Sequence, residues 1–157
     1  MTPPNDTTMI LFVCTGNTCR SPMAQAIARD EFIRNAKEGR QRAVRVESAG
    51  VATGPGLPMT PEARQALEAL SIDPGRHRSQ PLTRELVDSA AVIYTMTAAH
   101  RARVLELSPA AETKVHTLDP SGKDIPDPIG GPLEEYRACA ARIRTLVRER
   151  LAQLAPA

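Results

Sequence analysis

The chain has no tryptophan, and only 3% of its 157 residues are aromatic. That scarcity excludes a base-stacking platform of the kind single-stranded nucleic acid requires. Cysteine is also sparse: Cys14 and Cys19 lie close together, and Cys139 lies far away. An odd, uneven set of three is not a secreted disulfide framework. The opening residues, MTPPNDTTMILFV, lack a positively charged start, and their apolar run is too short for a signal peptide or a membrane span. Net charge is +2, although 17 of the 20 basic residues are arginine. So small an imbalance gives no reason to expect nucleic acid or a membrane surface as partner. The expectation is a cytoplasmic monomer.

What is present is an ordinary globular composition, 41% hydrophobic and 24% charged. Residues 1–8 read as a flexible tail and residues 9–155 as a single domain. The run MILFV (9–13) suits a strand buried on both faces. AVRVES (43–48), AVIYTM (91–96) and TKVHTL (113–118) supply three more strands. Between them lie helical stretches beginning at Ser21-Pro22, at Pro61 and within TRELVDSA, and a fourth, TAAHRARVLELS, that Pro109 stops. The closing helix is the clearest periodic signal. Leu133, Tyr136, Ala140, Ile143, Val147, Leu151 and Leu154 fall three or four residues apart, on one stripe. Strands alternating with helices predict an α/β three-layer sandwich, with a four-stranded parallel sheet flanked by helices. Ligands of such sheets bind beyond the carboxyl ends of the strands.

Cys14 stands at that end of the first strand. The segment from Cys14 to Ser21, CTGNTCRS, reads as a phosphate-binding loop. A loop entering a helix N-terminus turns backbone N–H groups and the positive end of the helix dipole toward one point. Thr15, Gly16, Asn17, Thr18 and Cys19 are small enough to curl, and Gly16 and Asn17 are types that tolerate positive φ. Arg20 adds a planar cation that can grip phosphate oxygens in pairs. The same positive surroundings favour a thiolate at Cys14, and Ser21 is placed to donate a hydrogen bond to it. Cys-x5-Arg alone is a weak pattern; the strand, the small residues and Ser-Pro make it specific. A packed core thiol beside a surface arginine would explain none of those neighbours.

Attack on phosphorus also needs an acid for the leaving group. Asp127, in DIPDPIGG beyond the fourth strand, is the candidate, with Asp119 and Asp124 as rivals from the same segment. On composition alone, Asp127 is equally well read as a turn-forming Asp-Pro.

These motifs resemble the low-molecular-weight protein tyrosine phosphatase family over essentially the whole chain, from LFVCTGNTCRSPMA through ESAG and HRSQPLT to DIPDPIGG. The resemblance implies a phosphocysteine intermediate on Cys14 and a phosphate-holding role for Arg20. It also implies that Asp127 protonates the leaving group and then activates water. From the resemblance alone come Ser48 and His77, which with Asn17 and Ser21 would form a network stiffening the loop. Two positions depart from the tyrosine-directed pattern. Thr18 stands where a bulkier aliphatic residue is usual, and Ile129-Gly130-Gly131 where aromatics often flank a phenyl ring. Both look like the bacterial protein arginine phosphatase branch, so Thr18 and Ile129 are the expected specificity residues and phosphoarginine in proteins the expected substrate. Phosphotyrosine is the alternative.

Other classes fit less well. A thioredoxin-coupled arsenate reductase needs further cysteines in a mobile segment, and none lies between Cys19 and Cys139. A non-catalytic phosphate-binding module would not need Cys14, Arg20 and an acid together. A zinc site lacks a second pair of ligands. No metal or organic cofactor is implied, since thiolate, guanidinium and carboxylate suffice. Cys14 and Cys19 also form a candidate redox pair, a reversible disulfide that would shield the nucleophile. Cys139, His100, His116, Tyr94 and Tyr136 read as structural.

Overall fold

The computed structural model describes residues 8–37 and 44–154. Its elements in chain order are β1 (Thr8–Cys14), α1 (Arg20–Lys37), β2 (Val44–Gly50), α2 (Pro61–Ala69), α3 (Arg84–Ser89), β3 (Val92–Thr95), α4 (Ala98–Leu107), a 3-10 turn (Pro109–Thr113), β4 (Val115–Thr117) and α5 (Leu133–Leu154). The four strands form one parallel sheet in the order β2-β1-β3-β4. The proposed tail is corrected at its end, because Thr8 already pairs with Val44. Residues 1–7, Ala43 at the start of the second expected strand, and Ala155 lie outside the described residues.

The period-two alternation of β1 builds both faces of the sheet. Ile10, Phe12 and Cys14 enter one buried cluster, with Met23 and Ile27 of α1, Leu67 of α2 and Ile143 and Val147 of α5. Met9, Leu11 and Val13 enter the other, with Val87 of α3 and Val104 of α4. Each fully buried aliphatic or aromatic side chain of this kind contributes about 1.5–3 kcal/mol, so the central strand is the chief hydrophobic anchor. The apolar stripe of α5 faces the first cluster: Tyr136, Ala140, Ile143, Val147 and Leu151 are buried, while Leu133 and Leu154 pack at its margins.

Two local expectations fail. Helix α1 starts at Arg20, one residue before the expected start at Ser21-Pro22, so Ser21 lies inside the first turn and Pro22 is the third helical residue. Pro22 is tolerated there because the first four N–H groups of a helix have no intrahelical acceptor. The fourth strand, expected over 113–118, is shorter, because Thr113 closes a 3-10 turn begun at Pro109 and the strand runs only from Val115 to Thr117. Among the described residues, no helix is long and apolar enough to cross a membrane.

The strand order fixes the site. β1 connects to β2 on one side and pairs with β3 on the other, so the chain direction across the sheet reverses beside the end of β1. That reversal opens a crevice at the carboxyl edge. Cys14 ends β1 there, and α1 and α4 both begin there. Neither helix has an acidic residue in its first turn, whereas α2, α3 and α5 do. The positive ends of α1 and α4 are therefore not neutralised by acids of their own first turns.

Candidate active site

Cys14 is buried at the base of the loop, with two hydrogen-bonding groups on its sulfur. Asn17 N–H lies 3.3 Å from Sγ and Ser21 Oγ lies 2.9 Å from it. The direction of the second bond follows from its neighbours. The side-chain amide of Asn17 donates both its hydrogens, one to Ser21 Oγ and one to Ser48 Oγ, each at 2.9 Å. Ser21 therefore already accepts a hydrogen bond, and its own hydrogen is free for the sulfur. Ser48 passes its hydrogen on to Gln25 Oε1 at 2.6 Å. Gln80 N–H donates to Asn17 Oδ1 at 2.9 Å, and Gln80 Nε2 to the Ser48 carbonyl at 3.0 Å. Asn17, itself at φ 56°, thus has every side-chain hydrogen-bonding group engaged. Of the two residues expected to tolerate positive φ, only Asn17 adopts it.

His77 binds the loop from another side, its Nε2 2.6 Å from the Asn17 carbonyl. The ring therefore donates there, and burial holds its pKa below the ordinary value despite that bond, with Arg29 adding to the fall. The residues that follow β2 clamp the loop through their backbone. Val51 N–H donates to the Cys14 carbonyl at 2.9 Å and Ala52 N–H to the Thr15 carbonyl at 3.0 Å. This contact needs Gly50. A methyl group there would sit 2.6 Å from the Thr15 carbonyl oxygen, a backbone atom with no room to retreat.

Arg20 is almost wholly buried, yet it reaches the mouth of the loop. Nη1 donates to the Ile125 carbonyl at 2.8 Å, and Nη2 lies 3.3 Å from both Thr15 Oγ1 and Asp127 Oδ2. Its Nε is a buried donor without a hydrogen-bond partner among the described residues. A buried guanidinium with spare donors suits an oxyanion with several acceptor atoms. Asp127 is about one-third exposed, and its second oxygen accepts from Ile129 N–H at 3.1 Å. The two rival carboxylates are occupied elsewhere. Asp119 pairs with Arg142 at 2.8 Å, and Asp124 Oδ1 accepts from Ala98 N–H at 2.9 Å at the start of α4.

Thr18 is half-buried at the rim, whereas Cys19 is buried. The Thr18 carbonyl accepts from Thr60 N–H at 3.0 Å, which ties the rim to the segment leading into α2. Cys19 Sγ lies among Thr60 Oγ1, Tyr136 Oη and Thr18 Oγ1, and burial pushes its thiol above the ordinary value despite these hydrogen bonds. Ile129 and Leu57 are large apolar side chains left exposed, at 59% and 50%.

The residues 9–157 match the family model described as low molecular weight phosphotyrosine protein phosphatase. The chain belongs to this family. It is 40% identical over 148 residues to a protein-arginine-phosphatase of Geobacillus stearothermophilus, covering 92% of this chain and 93% of the relative. It is 38% identical over 136 residues to a probable low molecular weight protein-tyrosine-phosphatase, EpsP, of Ralstonia nicotianae, covering 86% and 88%. Among solved structures, it superimposes on a mutant of YwlE arginine phosphatase with a phosphorylated active-site serine. The TM-score is 0.85 at 36% identity, over 94% of this chain and 95% of that one.

For this phosphatase-family chain, the fold brings together Cys14, Asn17, Arg20, Ser21, Ser48, His77 and Asp127. Four further participants were not singled out in the sequence. Gln25 and Gln80 carry the outer hydrogen bonds of the Asn17 network, Gly50 makes the backbone clamp possible, and His100 touches the loop. His100, read as structural, has Nε2 2.8 Å from Thr15 Oγ1. No local pattern marks these residues, since their partners lie 21 to 85 positions away. The glycine of ESAG was visible only as part of the family resemblance.

Proposed function

We propose that this protein is a cysteine-dependent phosphatase that removes phosphate from phosphoarginine in proteins. The observation that carries the substrate choice is an absence of aromatic walls. The chain has four aromatic residues, and Phe12, Tyr94 and Tyr136 are buried while Phe32 packs on the core from α1. None is left at the mouth to face a phenyl ring. Thr18 and Ile129-Gly130-Gly131 after Asp127 leave an entrance without flat aromatic walls, which suits a slender planar guanidine. The name of the Geobacillus relative supports the same reading.

The chemistry follows from the groups present. The Cys14 thiolate attacks phosphorus while Arg20 and the loop N–H groups hold the phosphoryl oxygens. The P–N bond breaks, its electron pair goes to the guanidine nitrogen, and Asp127 delivers the proton that this basic leaving group requires. Phosphoryl oxygens compete for Arg20 Nη2, which otherwise faces the Asp127 carboxylate. Water then attacks the phosphocysteine, Asp127 takes its proton, and phosphate leaves the regenerated thiolate. The phosphorylated active-site serine of the YwlE mutant supports a covalent intermediate at the equivalent stage. Peroxide would oxidise Cys14 and Cys19 together to a disulfide, each peroxide being reduced to two waters, with Cys19 as the resolving thiol.

The test is the ratio of kcat/KM for phosphoarginine and phosphotyrosine peptides. The expected ratio favours phosphoarginine in the wild type and shifts toward phosphotyrosine in Thr18→Ile. A wild-type preference for phosphotyrosine that Thr18→Ile leaves unchanged overturns the substrate assignment.

A further inference from the structure

We infer that His100 is a positioning residue for the reaction, donating from Nε2 to Thr15 Oγ1 and thereby fixing the hydroxyl against which Arg20 rests. The inference rests on Cys14–Ser21 being the phosphoryl cradle. It adds to that reading a residue from a different element, α4, on the other side of the strand reversal.

The geometry is a chain of contacts. His100 is 5% exposed, and its Nε2 lies 2.8 Å from Thr15 Oγ1. Arg20 Nη2 donates to the same oxygen at 3.3 Å and faces Asp127 Oδ2 at 3.3 Å. Thr15 is exposed at the mouth of the loop, so this hydroxyl joins a buried ring to the guanidinium. The backbone of His100 is itself fixed, because its N–H donates to the Thr97 hydroxyl that caps α4, at 3.1 Å.

The tautomer follows from the remaining ring nitrogen. Nδ1 is buried and has no hydrogen-bond partner among the described residues. With hydrogen on Nδ1, a buried N–H donor would be orphaned, which is rare and costly. With hydrogen on Nε2, Nδ1 is only an unused lone pair. The ring then donates to Thr15 Oγ1, and the hydroxyl accepts from both His100 and Arg20. Its own hydrogen is left for an oxygen of a bound phosphoryl group. The ring is kept neutral by burial and by the Arg20 charge, with a pKa lowered to about 4.

The experiment compares His100→Leu, His100→Gln, Thr15→Val and the double variant His100→Leu/Thr15→Val. Two readouts are used: turnover of an aryl phosphate per alkylatable Cys14, and binding of inorganic phosphate. Neither depends on the natural substrate, so a preference for phosphotyrosine would defeat the phosphoarginine reading and leave this inference standing. The expected result for His100→Leu is a loss of about tenfold or more in kcat per active site, with weaker phosphate binding. His100→Gln, whose amide nitrogen replaces Nε2 as donor, recovers most of it. His100→Leu adds less than about twofold in the Thr15→Val background, because the partner is already gone. Equal losses in the Leu and Gln variants, or fully additive losses in the double variant, overturn the inference. So does a fall only in the amount of folded protein, with phosphate affinity unchanged.

Discussion

The phosphate loop and the acid loop meet at one arginine but are built on opposite plans. In the first, Cys14, Asn17, Cys19, Arg20 and Ser21 are all buried, and the side chain of Asn17 alone joins three partners, Ser21, Ser48 and Gln80. In the second, residues 119–131, Lys123, Asp124, Pro126, Asp127, Ile129 and Gly130 are exposed, and only Ile125 and Pro128 are buried past Leu118. Its links to the body are few: Ile125 N–H to the Met96 carbonyl, Arg142 to Asp119 and the Asp124 carbonyl, Asp124 to the start of α4, and Arg20 to Ile125 and Asp127. The difference separates two tasks. Holding an anion benefits from dipoles fixed before it arrives. Giving a proton and then taking one from water needs a carboxylate reachable from solvent.

That contrast can be broken at either loop. The largest effect is expected for Cys14→Ser, which keeps the cradle but removes the thiolate. Turnover of a generic aryl phosphate should fall by roughly four orders of magnitude or more, while inorganic phosphate still binds. Asp127→Asn should come next, with a loss in kcat of about 10²–10⁴-fold and little change in phosphate affinity. If phosphate affinity fell in parallel, the two loops would not be separable in function.

Acid sharpens the comparison through stability. His100 is lowered to about 4 from the ordinary 6.5, by burial first and by Arg20 second, while Asp124 and Asp127 pull the other way. The unfolded chain therefore binds this proton before the folded one does. The stabilisation is complete above about pH 6.5 and drains away as pH falls toward 4, by up to about 3 kcal/mol. His77, also lowered by burial, adds a loss of the same sign. Urea melts between pH 7 and pH 4 measure the sum, and His100→Gln should flatten the decline. The smallest effect is expected for Gly50→Ala. Pushing the Thr15 carbonyl away should cost about 1–3 kcal/mol of stability and weaken phosphate binding, read by melting and by titration. The contrasting change, Gly122→Ala in the acid loop, meets no atom within 4 Å and should leave phosphate binding alone, although its φ of 85° adds backbone strain.

Much of this was readable along the chain, and particular residues show why. MILFV announced a buried strand because both faces of β1 are covered, which removes any polar alternation. The α5 stripe announced its helix because one face meets a core and the other meets water. Cys14, Arg20 and the small residues between them could be read together because a phosphate loop is local, seven residues from nucleophile to guanidinium. Ser21 shows local reading half succeeding. Its bond to the Cys14 sulfur was legible and is present at 2.9 Å, but the helix starts one residue earlier, at Arg20. His100 was missed: nothing near it in the chain hints at a partner 85 residues earlier.

By itself the sequence determined the sheet, its covering helices, and a loop able to hold an anion against a thiol. Each of these depends on residues close enough to interact along the chain or through a short period. Tertiary structure alone decided which carboxylate faces Arg20, that Gln25 and Gln80 close the Asn17 network, and that a histidine on α4 reaches Thr15. Those outcomes depend on groups that meet only once the strands have taken their order, because hydrogen bonds act over about 3 Å and carry no trace along the backbone between their partners.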